Sequence, residues 1–177
     1  SGEKRLDDYH FLILPDGFLE RDDLGAAQAG ANRIILARVK GSGEPLRDQF
    51  RRFIDGGKLI LGVCNGFQLM VKLGILPAVD GEYFRQTVTL TFNDSGRFED
   101  RWVWISINEK SPCVFTRGLK KVYLPVRHGE GKFMARSAAI LKRLHRQQQV
   151  VARYCTQDSD RPAMTYPDNP NGAVDAI

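Results

Sequence analysis

Short apolar runs alternate with longer amphipathic stretches through the first half of the chain, and this pattern predicts strands alternating with helices. Residues 9–14 (YHFLIL) form an apolar run that ends at Pro15 and reads as a buried strand. A polar loop follows over 16–23, then an Ala-rich segment of helical character over 24–38. The stretch 40–44 (KGSGE) is a flexible connection, and Pro45 opens a helix at a position where its missing N–H costs nothing. Leu46, Phe50, Phe53 and Ile54 recur at the spacing of one buried helix face, which Asp55-Gly56-Gly57 brings to a stop. Residues 58–63 (KLILGV) are too few for a helix and are apolar after Lys58, which suits a central parallel strand covered on both faces. Residues 65–73 read as a helix ended by Gly74 and Pro77. Strand, helix, strand, helix in this order argues for βαβ units and an α/β layered fold.

The second half changes period. Residues 85–92 (RQTVTLTF) and 101–107 (RWVWISI) alternate like half-exposed strands, as in a β-excursion from the main sheet. Residues 121–126 (KVYLPV) and 150–154 (VVARY) predict further strands, with an amphipathic helix over 136–147 between them. Residues 166–172 (YPDNPNG) hold two prolines and a glycine and are loop. There is no internal repeat and no linker that divides the chain, so residues 1–177 are expected to form a single domain.

Composition changes this picture little. At 42% hydrophobic and 27% charged residues, the chain is in the ordinary globular range. No apolar run approaches the ~18 residues of a membrane span, and the N-terminus lacks a signal-peptide apolar region. Three cysteines, an odd count, suit a reducing compartment, so a soluble cytoplasmic protein without a membrane partner is expected. Arg136, Lys142, Arg143, Arg146 and Arg153 crowd one stretch, but Ile140, Leu141 and Leu144 supply the apolar stripe opposite them. No aromatic residues interleave to stack bases, so a solvated helix face is expected here and no nucleic acid.

Gly62-Val63-Cys64-Asn65-Gly66 carries the chemistry. It has the form G-x-C-x-G between a buried strand and a helix, the cysteine counterpart of the G-x-S-x-G nucleophile elbow. A sharp strand-to-helix turn lifts the nucleophile clear of the sheet, and the glycines leave room where a side chain would collide with backbone. The helix N-terminus favours the thiolate, and the Asn65 N–H is placed to bond the oxyanion of a tetrahedral intermediate. A second oxyanion donor must come from another loop. The backbone N–H of Gly17 or Phe18, after the first strand, is the candidate.

Residues 61–68 (LGVCNGFQ) resemble the nucleophile segment of the class I (triad) glutamine amidotransferases, and within them the glutaminase of phosphoribosylformylglycinamidine synthase. The resemblance spans nearly the whole chain, because 95–99 (SGRFE), 128–133 (HGEGKF) and 166–172 follow in the order of that family. It implies an α/β, three-layer, flavodoxin-like fold with a mostly parallel central sheet and a small β-excursion. It also implies a mechanism: Cys64 attacks the carboxamide of glutamine, releases ammonia and leaves a glutamyl thioester for water to cleave. Gln68, His128, Gly129 and Glu130 then line the glutamine pocket. Ammonia passes to a synthetase that makes formylglycinamidine ribonucleotide in purine biosynthesis. ATP and magnesium belong to that partner, with no cofactor or metal on this chain. Gly57-Lys58 fails the phosphate-loop spacing, having no glycine five residues before Gly57.

The resemblance places the catalytic base elsewhere than His128. In that family it comes from a His-x-Glu element after the Asn-Pro-Asn-Gly loop, and so beyond Ile177 here. The family's first strand and helix are likewise expected to be missing ahead of Ser1. His10 and His145 read as structural or solvated. Two departures stand out: Asp16 in place of the first glycine of a Gly-Gly pair, and Ala173 in place of serine. Two other readings remain open on the residues alone. One is a cysteine-elbow hydrolase or chaperone-like protein of the same fold, and the other is a non-catalytic regulatory module.

Overall fold

A computed structural model describes residues 4–15 and 25–173, and its chain divides into two compact units, Ser1–Gln86 and Thr87–Ile177.

In the first unit, β1 (Phe11–Leu14) and β2 (Leu59–Gly62) pair in parallel, Phe11 opposite Leu59 and Leu14 opposite Gly62. Helices α1 (Ala26–Leu36) and α2 (Leu46–Asp55) lie between them in sequence, and α3 (Asn65–Lys72) follows β2. Pro45 is the N-cap of α2, so the helix begins where the sequence pattern puts it. Ala31, Phe50, Met70, Leu73 and Ile75 form the core, with Leu12, Leu14 and Ile60 packed against it. Phe11, Ile13 and Leu59 on the other strand face stay exposed.

Polar contacts fix the edge of this unit. The buried Gln49 side chain accepts from the Leu6 N–H (3.2 Å) and donates to Glu44 (3.2 Å). Arg52 bonds both Asp7 (2.9 Å) and Glu44. Lys58 donates to the Asp7 carbonyl at 2.7 Å, tying the N-terminal turn to the start of β2.

The second unit is antiparallel. β4 (Glu99–Ile107), β5 (Lys121–His128), β7 (Ala152–Thr156) and β8 (Ser159–Pro162) form a four-stranded sheet in the order β5-β4-β7-β8. β3 (Val88–Thr91) and β6 (Lys132–Ala135) form a separate pair. Val103, Ile105, Val126, Tyr154 and Ala163 make the core, so β4 alternates buried and half-exposed positions as its sequence predicts. Helix α4 (Ala138–Arg146) starts at Ser137, whose hydroxyl accepts from the Ile140 N–H (3.3 Å). It buries Leu144 and exposes Lys142, Arg143 and Arg146.

The expected mostly parallel sheet is not what these residues build. Among the described residues β1–β2 is parallel, and the pairs of the second unit are antiparallel. Short connections account for two of these pairs, β4–β5 and β7–β8. β7 turns into β8 through Gln157 and Asp158 alone, and 108–120 holds only the short turn Val114–Thr116. A parallel neighbour needs a crossover long enough for a helix. β6 and β8 were not predicted. The rest of the expected elements are present with shifted ends. Among the described residues, no helix is long and apolar enough to cross a membrane.

Two glycines in the first unit share a left-handed backbone but differ in surroundings. Gly57 (φ +69°) has open space around it, whereas a Cβ on Gly74 (φ +70°) would stand 2.7 Å from the backbone of Arg85 and Gln86. Gly57→Ala is expected to cost about 1 kcal/mol from backbone strain alone, and Gly74→Ala about 3 kcal/mol once the collision is added. Urea unfolding of the two variants checks the difference.

Candidate active site

The end of β1, the end of β2 and the start of α3 converge on the Leu14 carbonyl. It accepts the Val63 N–H at 3.0 Å, and the Gly66 N–H donates to the Val63 carbonyl at 2.9 Å. A Cβ on Gly66 would collide with the Leu14 carbonyl. One on Gly62 would stand 2.7 Å from the Met70 sulfur and 2.8 Å from the Gly66 carbonyl oxygen and the Phe67 Cα. Both flanking glycines of G-x-C-x-G are therefore required by the closeness of strand and helix.

Cys64 between them is forced into φ +50°, ψ −114°, a region that a residue with a side chain occupies at a cost of about 1–3 kcal/mol. It is the N-cap of α3 and half-buried. The Gln68 N–H donates to the Cys64 carbonyl at 3.1 Å, closing the first turn. Asn65 is the first helical residue, so its N–H adjoins the cysteine at the end that carries partial positive charge. Gln68 lies one turn further along. The elbow thus assembles Cys64, Asn65 and Gln68 on one short segment. Gly17, Phe18 and Asp16 lie outside the described residues.

His128, Gly129 and Glu130 belong to the second unit, where three sequence segments meet. Glu99 and His128 are cross-strand partners in β4 and β5. Glu99 is 2% exposed and is flanked by Arg101 (2.8 Å) and Arg97 (3.4 Å). Burial opposes its charge, yet the Ser95 hydrogen bond and the two guanidiniums hold its carboxyl below the usual range. Arg101 also bonds the Tyr166 hydroxyl and stacks 4.1 Å from that ring, which ties 95–101 to the 166–172 loop. The loop is closed by its own asparagines. The Gly172 N–H donates to Asn169 (2.9 Å), the Ala173 N–H to Asn171 (2.8 Å), and Asn169 to the Ala173 carbonyl (3.1 Å).

Both nitrogens of the His128 ring are engaged. Nδ1 lies 3.0 Å from Asn93 Oδ1, and Nε2 lies 3.3 Å from the Tyr154 hydroxyl. An amide oxygen only accepts, so Nδ1 carries the proton and Nε2 accepts from Tyr154. The Tyr154 oxygen in turn accepts from Asn171 Nδ2 at 3.2 Å. Burial holds the imidazole below its ordinary value of 6.5 and pushes the Tyr154 phenol up. Asn93, Tyr154 and Asn171 were missed by sequence reasoning, and the signal for them is weak because their partners lie 35, 26 and 40 residues away. Of the other histidines, His10 is exposed and His145 Nδ1 accepts from Arg153 at 3.1 Å. Among the described residues, no group of three or more His, Cys, Asp or Glu could hold a metal ion.

A cysteine at a strained strand-to-helix turn, between two sterically required glycines, defines an elbow of the nucleophile type. The profile of the CobB/CobQ-like glutamine amidotransferase domain matches residues 1–177, and the chain belongs to that family. The Dehalococcoides mccartyi phosphoribosylformylglycinamidine synthase subunit PurQ is 42% identical over 172 residues, covering 96% of this chain and 60% of the relative. The subunit of the same name from Methanococcus maripaludis is 39% identical over 173 residues, with 98% and 60% covered. A solved structure of PurLQS from Thermotoga maritima superposes with a TM-score of 0.62 at 26% identity, covering 99% of this chain and 64% of that one. The chain spans about 60% of the length of these curated relatives.

The lowered His128 pKa has a consequence for stability. Below pH 6.5 the unfolded chain binds a proton that the folded imidazole resists. The contribution of neutral His128 is therefore fully present above pH 6.5 and is lost as pH falls toward the folded-state value. Urea unfolding between about pH 5 and about pH 8 should show a decline on the acid side. His128→Gln should flatten it.

Proposed function

We propose that this chain is the glutamine-cleaving part of a phosphoribosylformylglycinamidine synthase and works in the cytoplasm. The observation that carries the reading is the Cys64 elbow, with its left-handed backbone between two glycines that cannot be larger, in a chain of the glutamine amidotransferase domain family. In this reading residues 1–177 are part of one amidotransferase domain. The full-length protein completes a three-layer, flavodoxin-like arrangement around β1–β2.

The Cys64 thiolate forms a bond to the side-chain amide carbon of glutamine, and the carbonyl electrons move onto oxygen. The N–H of Asn65 and that of Gly17 or Phe18 receive this oxyanion. When it collapses, the C–N bond breaks and the nitrogen takes a proton to leave as ammonia. Water then attacks the thioester, the C–S bond breaks, and glutamate leaves with the thiolate restored. A His-x-Glu element beyond residue 177 supplies the imidazole that delivers and recovers these protons. Gln68 and the His128-Gly129-Glu130 turn hold the glutamine. Ammonia passes to the synthetase, which uses ATP and magnesium to make the amidine.

Full-length Cys64→Ala protein, assayed with its synthetase, should lose glutamine-dependent synthesis by at least about a thousandfold. Synthesis driven by added ammonium should stay within about twofold of the parent. Equal loss of both activities in a folded variant overturns the reading.

A further inference from the structure

The turn over 128–131, with Glu130 near its apex, is held from both sides by side chains distant in sequence. The Asn93 N–H donates to the Gly129 carbonyl at 3.0 Å. Its Nδ2 donates to the His128 carbonyl at 2.8 Å, and its Oδ1 accepts from the Gly131 N–H at 3.1 Å. The Gly131 carbonyl accepts from Asn171 Nδ2 at 2.6 Å. A Cβ on Gly131 would run into the His128 ring, so the turn closes tightly over the imidazole. Tyr154, from the middle of β7, bonds His128 on one side and Asn171 on the other. It thereby joins the turn to the Asn169–Gly172 stretch.

We infer that Asn93 and Tyr154 are positioning residues for the substrate amino acid: they fix the 128–131 turn so that Glu130 and the neighbouring backbone present a preformed subsite. The inference rests on the glutaminase reading above. Its physical basis is the way Asn93 is used. Its side chain is almost fully buried, and both Nδ2 protons and Oδ1 are spent on this turn and on the Arg97 carbonyl (3.0 Å). Packing alone is met by an apolar side chain without the desolvation of an amide. A buried amide with its hydrogen bonds directed at one turn fixes backbone geometry, which a binding subsite needs to within about 0.5 Å. Tyr154 acts in the same way through the imidazole, since its hydroxyl donates to Nε2 and orients the ring.

Tyr154→Phe keeps the ring and removes only that hydroxyl. In the full-length protein with its synthetase, KM for glutamine should rise about tenfold, with kcat and ammonium-driven synthesis within about twofold of the parent. Asn93→Ser, which shortens the side chain and loses the contacts on both sides of the turn, should raise KM further. A lower melting temperature with unchanged KM in both variants makes these residues structural only and overturns the inference. A fall in kcat at constant KM also overturns it. A parent protein that turns over no glutamine removes the glutaminase reading itself, together with this extension of it.

Discussion

The close approach of α3 to the ends of β1 and β2 is the constraint on which the candidate site depends. Glycine at 62 and 66 lets the helix backbone lie against the Leu14 carbonyl and the Met70 side chain reach back over the strand. With the helix that near, the chain must turn within Val63 and Cys64, and the left-handed conformation falls on the cysteine. The strain at Cys64 is held in place by core packing on either side, from Leu14 and Ile60 on the strands to Leu69 and Met70 on the helix. A cysteine set at the mouth of a helix, with backbone N–H groups beside it, follows from that packing without any further device.

The second unit solves a different problem, the fixing of irregular backbone. The turn at 128–131 and the loop at 169–173 have no ladder to satisfy their polar groups. Three buried or half-buried amides and one tyrosine take that role, and Glu99 with its two arginines closes the cluster at the neighbouring strand pair. The cluster joins the segments containing Asn93, His128 and Asn171, which sequence order alone leaves as separate motifs. Removing one member leaves others with unmet hydrogen bonds, which is why the effects of single changes here should be larger than one bond is worth.

Much of the first unit was legible in the sequence because its determinants are local. The apolar run before Gly62, the two glycines and the following helical period are contiguous, and they predicted both the elbow and the reason for its glycines. The apolar run at 58–63 predicted a parallel strand covered on both faces; the pairing of β1 with β2 is parallel, but Phe11, Ile13, Leu59 and Val63 leave one side exposed. The mostly parallel sheet implied by the resemblance does not extend to the second half, where the alternation in Trp102, Val103, Trp104 and Ile105 gives the half-exposed strands that the sequence predicts. Strand β8 reads Ser-Asp-Arg-Pro and has no strand signal of its own. It exists because a two-residue turn folds it back on β7. The roles of Asn93, Tyr154 and Asn171 depend on partners brought together only by the fold, so no spacing rule could have found them.

If Cys64 is the reactive thiol of a glutamine site, glutamine must compete with reagents that modify it. The direct measurement is to treat the full-length protein with a glutamine-like electrophile and map the modified cysteines by mass spectrometry, with and without glutamine. Cys64 should be modified first and protected by glutamine, whereas the half-buried Cys113 should react slowly and without protection. Modification of Cys113 as fast as Cys64, with glutamine protecting neither, would contradict the assignment.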